Sequence, residues 1–408
     1  MNVASLEWVL GILLVSAFFF LTTKVWHRQV LYALCSISFL AAHSLSWSAW
    51  ILLAAFLGSG YLIAKWLENR PSGSLLAIYL LIVVGSFIFF KQYSFLKEIL
   101  PDNLFSLKIT LIGISYMLFR QIHLTVDAYQ GQIQNLTLWN YLNYQLNLFG
   151  LQAGPIQRYQ EFSDHWVRLD PIRTSYTEIL RTYLRLFFGV IKVLGIGAWC
   201  LAIYSRTLDR YFAASGGLET FLLFLLSIYV FTAYLYFNFS GYCDIVISAA
   251  GLVGMKMPEN FQLPFLSRNI GELWTRWHRT LGFWIRDYLF TPIFKASVER
   301  LPRHATTLSF SAYFLAFSLA GLWHGSTWNF LVFGLLHGAA VASAKIWEMF
   351  LLRRLGRPGF KLYLQNPRIK LVAQIATFHY FAFTLIFWYH DMAGSGAILR
   401  KLTLAITH

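Results

Sequence analysis

The sequence predicts an all-α polytopic membrane protein, on three observations. Apolar runs long enough to span a bilayer recur along the 408 residues. Hydrophobic residues make up 57% of the chain and charged residues only 12%, with a mean hydropathy of +0.55, a balance that fits lipid better than water. Basic residues gather in short clusters between the apolar runs, where the positive-inside rule places cytoplasmic loops. The chain reads as one integral membrane domain over residues 1–408, with roughly nine to eleven spans. No soluble domain, linker, repeat or low-complexity segment is visible.

The net charge of +15 sits in those clusters, so it argues for membrane lipids and phosphorylated ligands rather than for nucleic acid. Cys35, Cys200 and Cys243 are too few and too scattered for a disulfide framework or a zinc site. The 74 aromatic residues (37 Phe, 22 Tyr and 15 Trp) exceed what interfacial belts need, so many are expected inside the protein.

Leu6 to Thr23 is followed by Lys24, His27 and Arg28 and lacks a small-residue cleavage site, so it reads as a retained helix with its N-terminus outside the cytoplasm. Val30 to Ala64 holds two passes broken near His43 to Ser48, and Lys65 to Pro71 is a cytoplasmic turn. Leu75 to Phe90 is a further span, and Lys91 to Lys108 suits an external loop. Ile109 to Tyr129 returns through the membrane with Tyr116, Arg120, His123 and Asp127 on one helical face, read first as an internal polar cluster that locks helices together. Tyr141 to Tyr159 is short, polar and interrupted by Gly150 and Gly154-Pro155, which suits a re-entrant element.

Ile179 to Tyr204 is a helix, and Arg206 to Gly217 a polar turn. Leu218 to Met255 is apolar but carries Asn238, Ser240, Gly241 and Asp244, and reads equally as one broken helix or two. Gly271 to Phe290 places Leu273, Trp277, Leu281, Trp284 and Tyr288 on one stripe, with Arg276, Arg279 and Arg286 elsewhere, as in a helix lying in the interface. Thr306 to Trp323 and Trp328 to Phe350 are spans. Leu351 to Lys370 holds six basic residues and no acid and marks the cytoplasm, after which Leu371 to His390 crosses once more and leaves the C-terminus outside.

The residues that can carry chemistry cluster between Asn238 and Trp328. His324 stands at the end of an apolar helix between Trp323 and Gly325. A membrane histidine often bonds helices together, but a neutral imidazole in an apolar pocket can also take a proton from a hydroxyl near neutral pH. His278, beside Trp277, can snorkel at the surface or turn inward and donate to a developing oxyanion, and spacing leaves both open. His337 lines the same cavity or packs. Asp244 needs an arginine or tyrosine partner if it stays charged, and Cys243 lacks an adjacent base. No Ser-His-Asp order, phosphate loop or HExxH-type metal spacing appears.

At these residues the sequence resembles the membrane-bound O-acyltransferase family. SGYCDIVIS, PENFQLPFLSRNIGELWTRWHRTLGFWIRDYLF and GLWHGSTWNFLVFGLLHG are similar to its bacterial branch of alginate O-acetylases and D-alanyl transfer proteins, over about residues 115–338. The resemblance implies a ring of tilted helices around a tunnel, with His324 as the essential histidine of the WHG segment and His278 as the second polar position. It implies no bound cofactor or metal. The acyl donor is a thioester substrate, acetyl-CoA or an acylated carrier protein. Arg276 and Arg279 would receive its phosphate, with Trp277, Trp323, Asn238, Tyr242, Asp244 and His337 as further residues of the site.

TPIFKASVER lacks the Gly-Asn-Arg run of alginate-type members, and the chain ends one helix after Lys370. These departures bear on the substrate: SGYCD leans to acetyl transfer, the short length to D-alanyl transfer. The expected activity is acyl transfer, most readily of acetyl, from a cytoplasmic donor to a hydroxyl of an extracytoplasmic polysaccharide, or to a membrane-anchored or extracytoplasmic partner that acylates it. His324 acts as general base, and His278 stabilises charge or orients the acyl group. The expected place is the bacterial cytoplasmic membrane. A transporter or lipid flippase is the competing class, since intramembrane charges also line transport paths.

Overall fold

Long apolar runs give helices throughout. A computed structural model describes residues 6–42, 46–91, 93, 113–170 and 175–407. Among them there is no β-strand, only an isolated bridge between Phe261 and Trp277. Seven helices among the described residues are long and apolar enough to cross a membrane, which makes this a multi-pass membrane protein. The number falls below the nine to eleven expected. Val25–Ala41 and Ile114–Tyr129 have only 17 and 16 residues, short of the ~20 a span needs. The expected loop at Lys91 to Lys108 lies almost wholly outside the described residues, as does the first half, residues 43–45, of the break expected at His43 to Ser48.

Several boundaries differ from expectation, because polar and charged residues do not by themselves stop a helix. Tyr176–Ala213 runs straight through Arg206 by way of a π turn at Ile191–Gly197, and only the residues before Gly217 end it. Gly217–Leu252 is one helix of 36 residues, unbroken at Asn238, Gly241 or Asp244. Trp328–Gln365 continues through Arg353, Arg354, Arg357 and Lys361, with a kink at Gly356 (φ 66°) followed by Pro358. The basic stretch is therefore helical until Asn366, whose side chain accepts from the Arg368 and Ile369 N–H groups and caps the helix opened by Pro367. A helix at Met392–Thr407 follows the last span.

The chain forms two compact units. One comprises residues 1–194 and 239–259, the other 195–238 and 260–408. In the first, α5 (Ile114–Tyr129) buries all four residues expected on its polar face. Arg120, 1% exposed, donates to the carbonyls of Tyr144, Gln145 and Asn147 at 3.0, 2.9 and 3.4 Å. The first two are the last carbonyls of helix α6 (Leu138–Gln145), where the intrahelical ladder runs out, and the third belongs to the turn beyond it. Tyr144 Oη lies 2.5 Å from His123 Nε2 and 2.9 Å from the Gln157 carbonyl, and Gln160 donates to Asp127 at 2.9 Å. The irregular backbone at Gly150 and Gly154-Pro155 is thus held by side chains, the condition under which it survives burial.

Helix α10 (Gly217–Leu252) carries Asp244, which accepts from Arg185 at 2.8 Å and Lys192 at 2.7 Å, while Arg185 also grips Glu259 with both terminal nitrogens at 2.6 and 2.7 Å. The anion is neutralised where lipid would otherwise penalise it. Gly189 and Gly241 make this approach possible, since a Cβ on Gly189 would lie 2.9 Å from the Gly241 carbonyl oxygen.

The second unit is built on the hairpin of α14 (Ala305–His324) and α15 (Trp328–Gln365). Gly321, Gly334 and Gly338 bring the two backbones together: a Cβ on Gly321 would overlap the Phe330 carbonyl, and one on Gly334 the Phe317 carbonyl. Because the obstacle is backbone, Gly334→Ala is expected to destabilise the protein by about 1–3 kcal/mol through overpacking. Thermal unfolding in detergent measures this, and an unchanged midpoint would contradict the packing described.

Candidate acyl-transfer site

The run expected as one interfacial helix, Gly271 to Phe290, is broken at Trp277 and His278 into a short helix and a second one that continues through a π turn at Arg286–Phe290 to Arg300. Helix α11 (Ile270–Arg276) starts at Asn269, whose side chain accepts from Glu272 N–H at 2.8 Å, and α12 (Arg279–Ile285) starts after His278. His278 takes the left-handed conformation, φ 46° and ψ 46°. For a residue with a Cβ this costs ~1–2 kcal/mol and persists only where the surroundings enforce it. Here they do: Gln262 N–H donates to the Arg276 carbonyl at 2.9 Å, and Arg279 N–H to the Asn260 carbonyl at 3.1 Å. Trp277 is clamped by Phe261 and Phe381, with ring centroids 5.1 and 5.0 Å away.

The break turns His278 inward to 2% exposure, so the snorkelling alternative is removed. Its Nδ1 lies 3.2 Å from Asn260 Oδ1, which also accepts from the Thr280 N–H at 3.3 Å and hydroxyl at 3.0 Å.

His324 is the last residue of α14. Its half-buried ring lies between Trp323 and Trp388, with centroids 4.6 and 4.5 Å away. Gly325 has no space for a side chain, since the Phe330 ring stands where its Cβ would be. The rings of His278 and His324 are 6.5 Å apart at 56°. That separation is too long for a direct N–H···N bond of ~3 Å. Two imidazoles, one deeply buried, framed by tryptophans and a glycine, suit proton transfer in a dry site.

Burial pushes the His278 imidazole down to about 3. The unfolded ring binds a proton below about 6.5, whereas the folded ring stays neutral until about 3. The unfolded state therefore holds more protons across that window, and stability falls as pH falls through it. His278→Gln is expected to flatten the loss of thermal stability over this range. Identical slopes for variant and parent would contradict it.

The other residues singled out in the sequence have local partners. Arg276 is taken by Glu272 at 2.9 Å, and the Arg279 guanidinium lies over Phe283 at 5.5 Å. His337 has both ring nitrogens engaged, Nδ1 with Trp274 Nε1 at 3.2 Å and Nε2 with Thr384 Oγ1 at 3.0 Å, which is a packing role. Asn238 is half-buried on α10. Asp244 and Tyr242 belong to the first unit, where Tyr242 Oη accepts from the Ala153 N–H at 3.3 Å. Cys243 is a small buried residue, 2% exposed.

A groove of about 600 Å³ between Arg268, Tyr313, Trp347, Tyr363 and Lys370 shares no residue with the histidine pair. Sequence reasoning did not single out Asn260, Phe330 or Trp388. Asn260 stands inside the quoted PENFQLP segment, and only a fold that returns it to His278 reveals its use.

Comparison with known proteins gives the family. The chain is 28% identical over 289 residues to the teichoic acid D-alanyltransferase of Bacillus subtilis (strain 168), covering 69% of this chain and 68% of that protein. It is 28% identical over 238 residues to the enzyme of the same name from Streptococcus thermophilus, covering 58% and 57%. It is 30% identical over 237 residues to a probable alginate O-acetylase of Azotobacter vinelandii, covering 57% of this chain but 44% of that protein. The model of the membrane-bound O-acyltransferase family matches residues 8–388, a span that includes both histidines, so the chain belongs to the membrane-bound O-acyltransferase family.

Proposed function

We propose that this protein moves an acyl group from a cytoplasmic thioester donor to a hydroxyl presented from the other side of a bacterial cytoplasmic membrane, on an extracytoplasmic polysaccharide or on a partner protein that acylates one. The observation that supports it most is the His278–His324 pair in its dry aromatic frame. His324 takes the proton of the attacking hydroxyl, whose oxygen bonds to the thioester carbonyl carbon. The carbon–sulfur bond breaks, and the proton passes to the departing thiolate. The thioester supplies the driving force, so the protein chiefly holds the two reactants in line and excludes water. No cofactor enters these steps.

Acetyl and D-alanyl are the two acyl groups that the relatives' names support. The names of the Bacillus subtilis and Streptococcus thermophilus relatives support D-alanyl, from an acylated carrier protein, and SGYCD favours acetyl from acetyl-CoA. Membranes containing the protein, given each donor with a labelled acyl group, distinguish them by which label becomes covalently bound to acceptor. Label bound from neither donor would contradict the proposal.

A further inference from the structure

We infer that Asn260 is a positioning residue that holds His278 as its Nδ1–H tautomer, so that the Nε2 of the neutral ring carries no hydrogen and can only accept a hydrogen bond. The inference rests on the acyl-transfer reading of the pair for its consequence, but the tautomer follows from donors and acceptors alone. A backbone N–H only donates, and that of Thr280 reaches Asn260 Oδ1 at 3.3 Å. The amide oxygen must therefore face this side, and the Thr280 hydroxyl approaches the same atom at 3.0 Å. An amide oxygen carries no hydrogen, so the His278 nitrogen 3.2 Å from it has to supply one. Asn260 is fully buried, and its backbone carbonyl holds Arg279 N–H. One residue thus fixes the left-handed turn and the proton position together.

His337 shows the opposite assignment by the same reasoning. The indole N–H of Trp274 only donates, so His337 Nδ1 is bare and its Nε2–H faces Thr384. The two buried histidines of this unit are set in opposite tautomers by groups whose polarity is unambiguous.

The consequence selects between the two roles expected of His278. A neutral ring protonated at Nδ1 has no hydrogen on Nε2 to give to an oxyanion. At Nε2 it can only accept, so its part is to orient a donor group, while His324 takes the proton of the attacking hydroxyl.

The tautomer is read directly, without turnover, from long-range ¹H–¹⁵N correlations of the intact protein labelled with ¹⁵N-histidine, with His278 assigned by its loss in His278→Gln. A neutral ring protonated at Nδ1 is expected, and protonation at Nε2 would overturn the inference. Asn260→Asp keeps an acceptor at Oδ1 and is expected to keep the tautomer and most activity. Asn260→Leu is expected to lose the tautomer and lower kcat by ~10²–10⁴-fold, with the donor KM little changed. A leucine variant that folds and keeps both the Nδ1–H signal and full kcat would count against Asn260. An Nδ1–H ring in a protein that transfers neither acyl group would remove the acyl-transfer reading while upholding the tautomer. Transfer that depends on His324 alongside an Nε2–H ring at His278 would do the reverse.

Discussion

Replacing His324 with alanine is expected to lower kcat for acyl transfer by about 10³-fold, the scale of a lost general base, with the donor KM little changed. The alanine variant also loses contacts with Trp323 and Trp388, so His324→Gln, which refills most of the volume without a basic nitrogen, is the second arm. Both variants are expected to fail in transfer, and the glutamine variant to unfold close to the parent temperature. Glutamine activity near the parent level would show that the ring packs and does not remove a proton.

Arg120→Leu is expected to carry the largest stability cost in the first unit. The guanidinium satisfies carbonyls at the end of helix α6 and the turn beyond it, and Gly150 is small because the Arg120 side chain occupies the space of its Cβ. Leucine would leave the buried Gln145 carbonyl without a donor, at ~1–3 kcal/mol, would leave those of Tyr144 and Asn147 with only the Asn147 and Gly150 N–H groups at 3.4 and 3.1 Å, and would lose the packing around the guanidinium. Arg120→Lys is expected to rescue this in part only, because an ammonium lacks the planar fork that reaches several carbonyls from one side chain. Protein accumulation in membranes and thermal unfolding in detergent measure both variants. A leucine variant as stable as the parent would mean that water or other groups satisfy those carbonyls.

Much of this architecture was legible in the residues. The long apolar runs are helical, the polar face of Tyr116, Arg120, His123 and Asp127 is buried as its spacing implied, and Asp244 has the cationic partners an intramembrane acid needs. What misled was the assumption that charge ends a helix. Arg206, Arg353 and Lys361 are good helix formers and lie on helices that carry on past them. The interfacial stripe from Leu273 to Tyr288 had a helical period, but two consecutive helices give nearly the same pattern as one. The left-handed turn at His278 has no glycine to announce it. It is imposed by pairing with residues 260–262, a tertiary effect that periodicity cannot register.

The candidate site was legible in part for the same reason. Two histidines in apolar surroundings stood out one by one, and the WHG and RWH segments placed them in a family. That they face each other at 6.5 Å, that Trp388 closes over one and that Asn260 orients the other are consequences of folding over long sequence separations. The arginines beside His278 illustrate the converse: Arg276 and Arg279 invited assignment to a phosphorylated donor, and the structure shows Arg276 held by Glu272 and Arg279 lying over Phe283.

The most direct test of the central claim uses the intact protein in sealed vesicles, with a labelled acyl thioester on one side and a hydroxyl acceptor on the other, for the parent and for His324→Gln. The account predicts label covalently joined to the acceptor by the parent and none by the variant. Intact donor recovered on the far side without covalent transfer, or transfer that persists without the imidazole of residue 324, would contradict it.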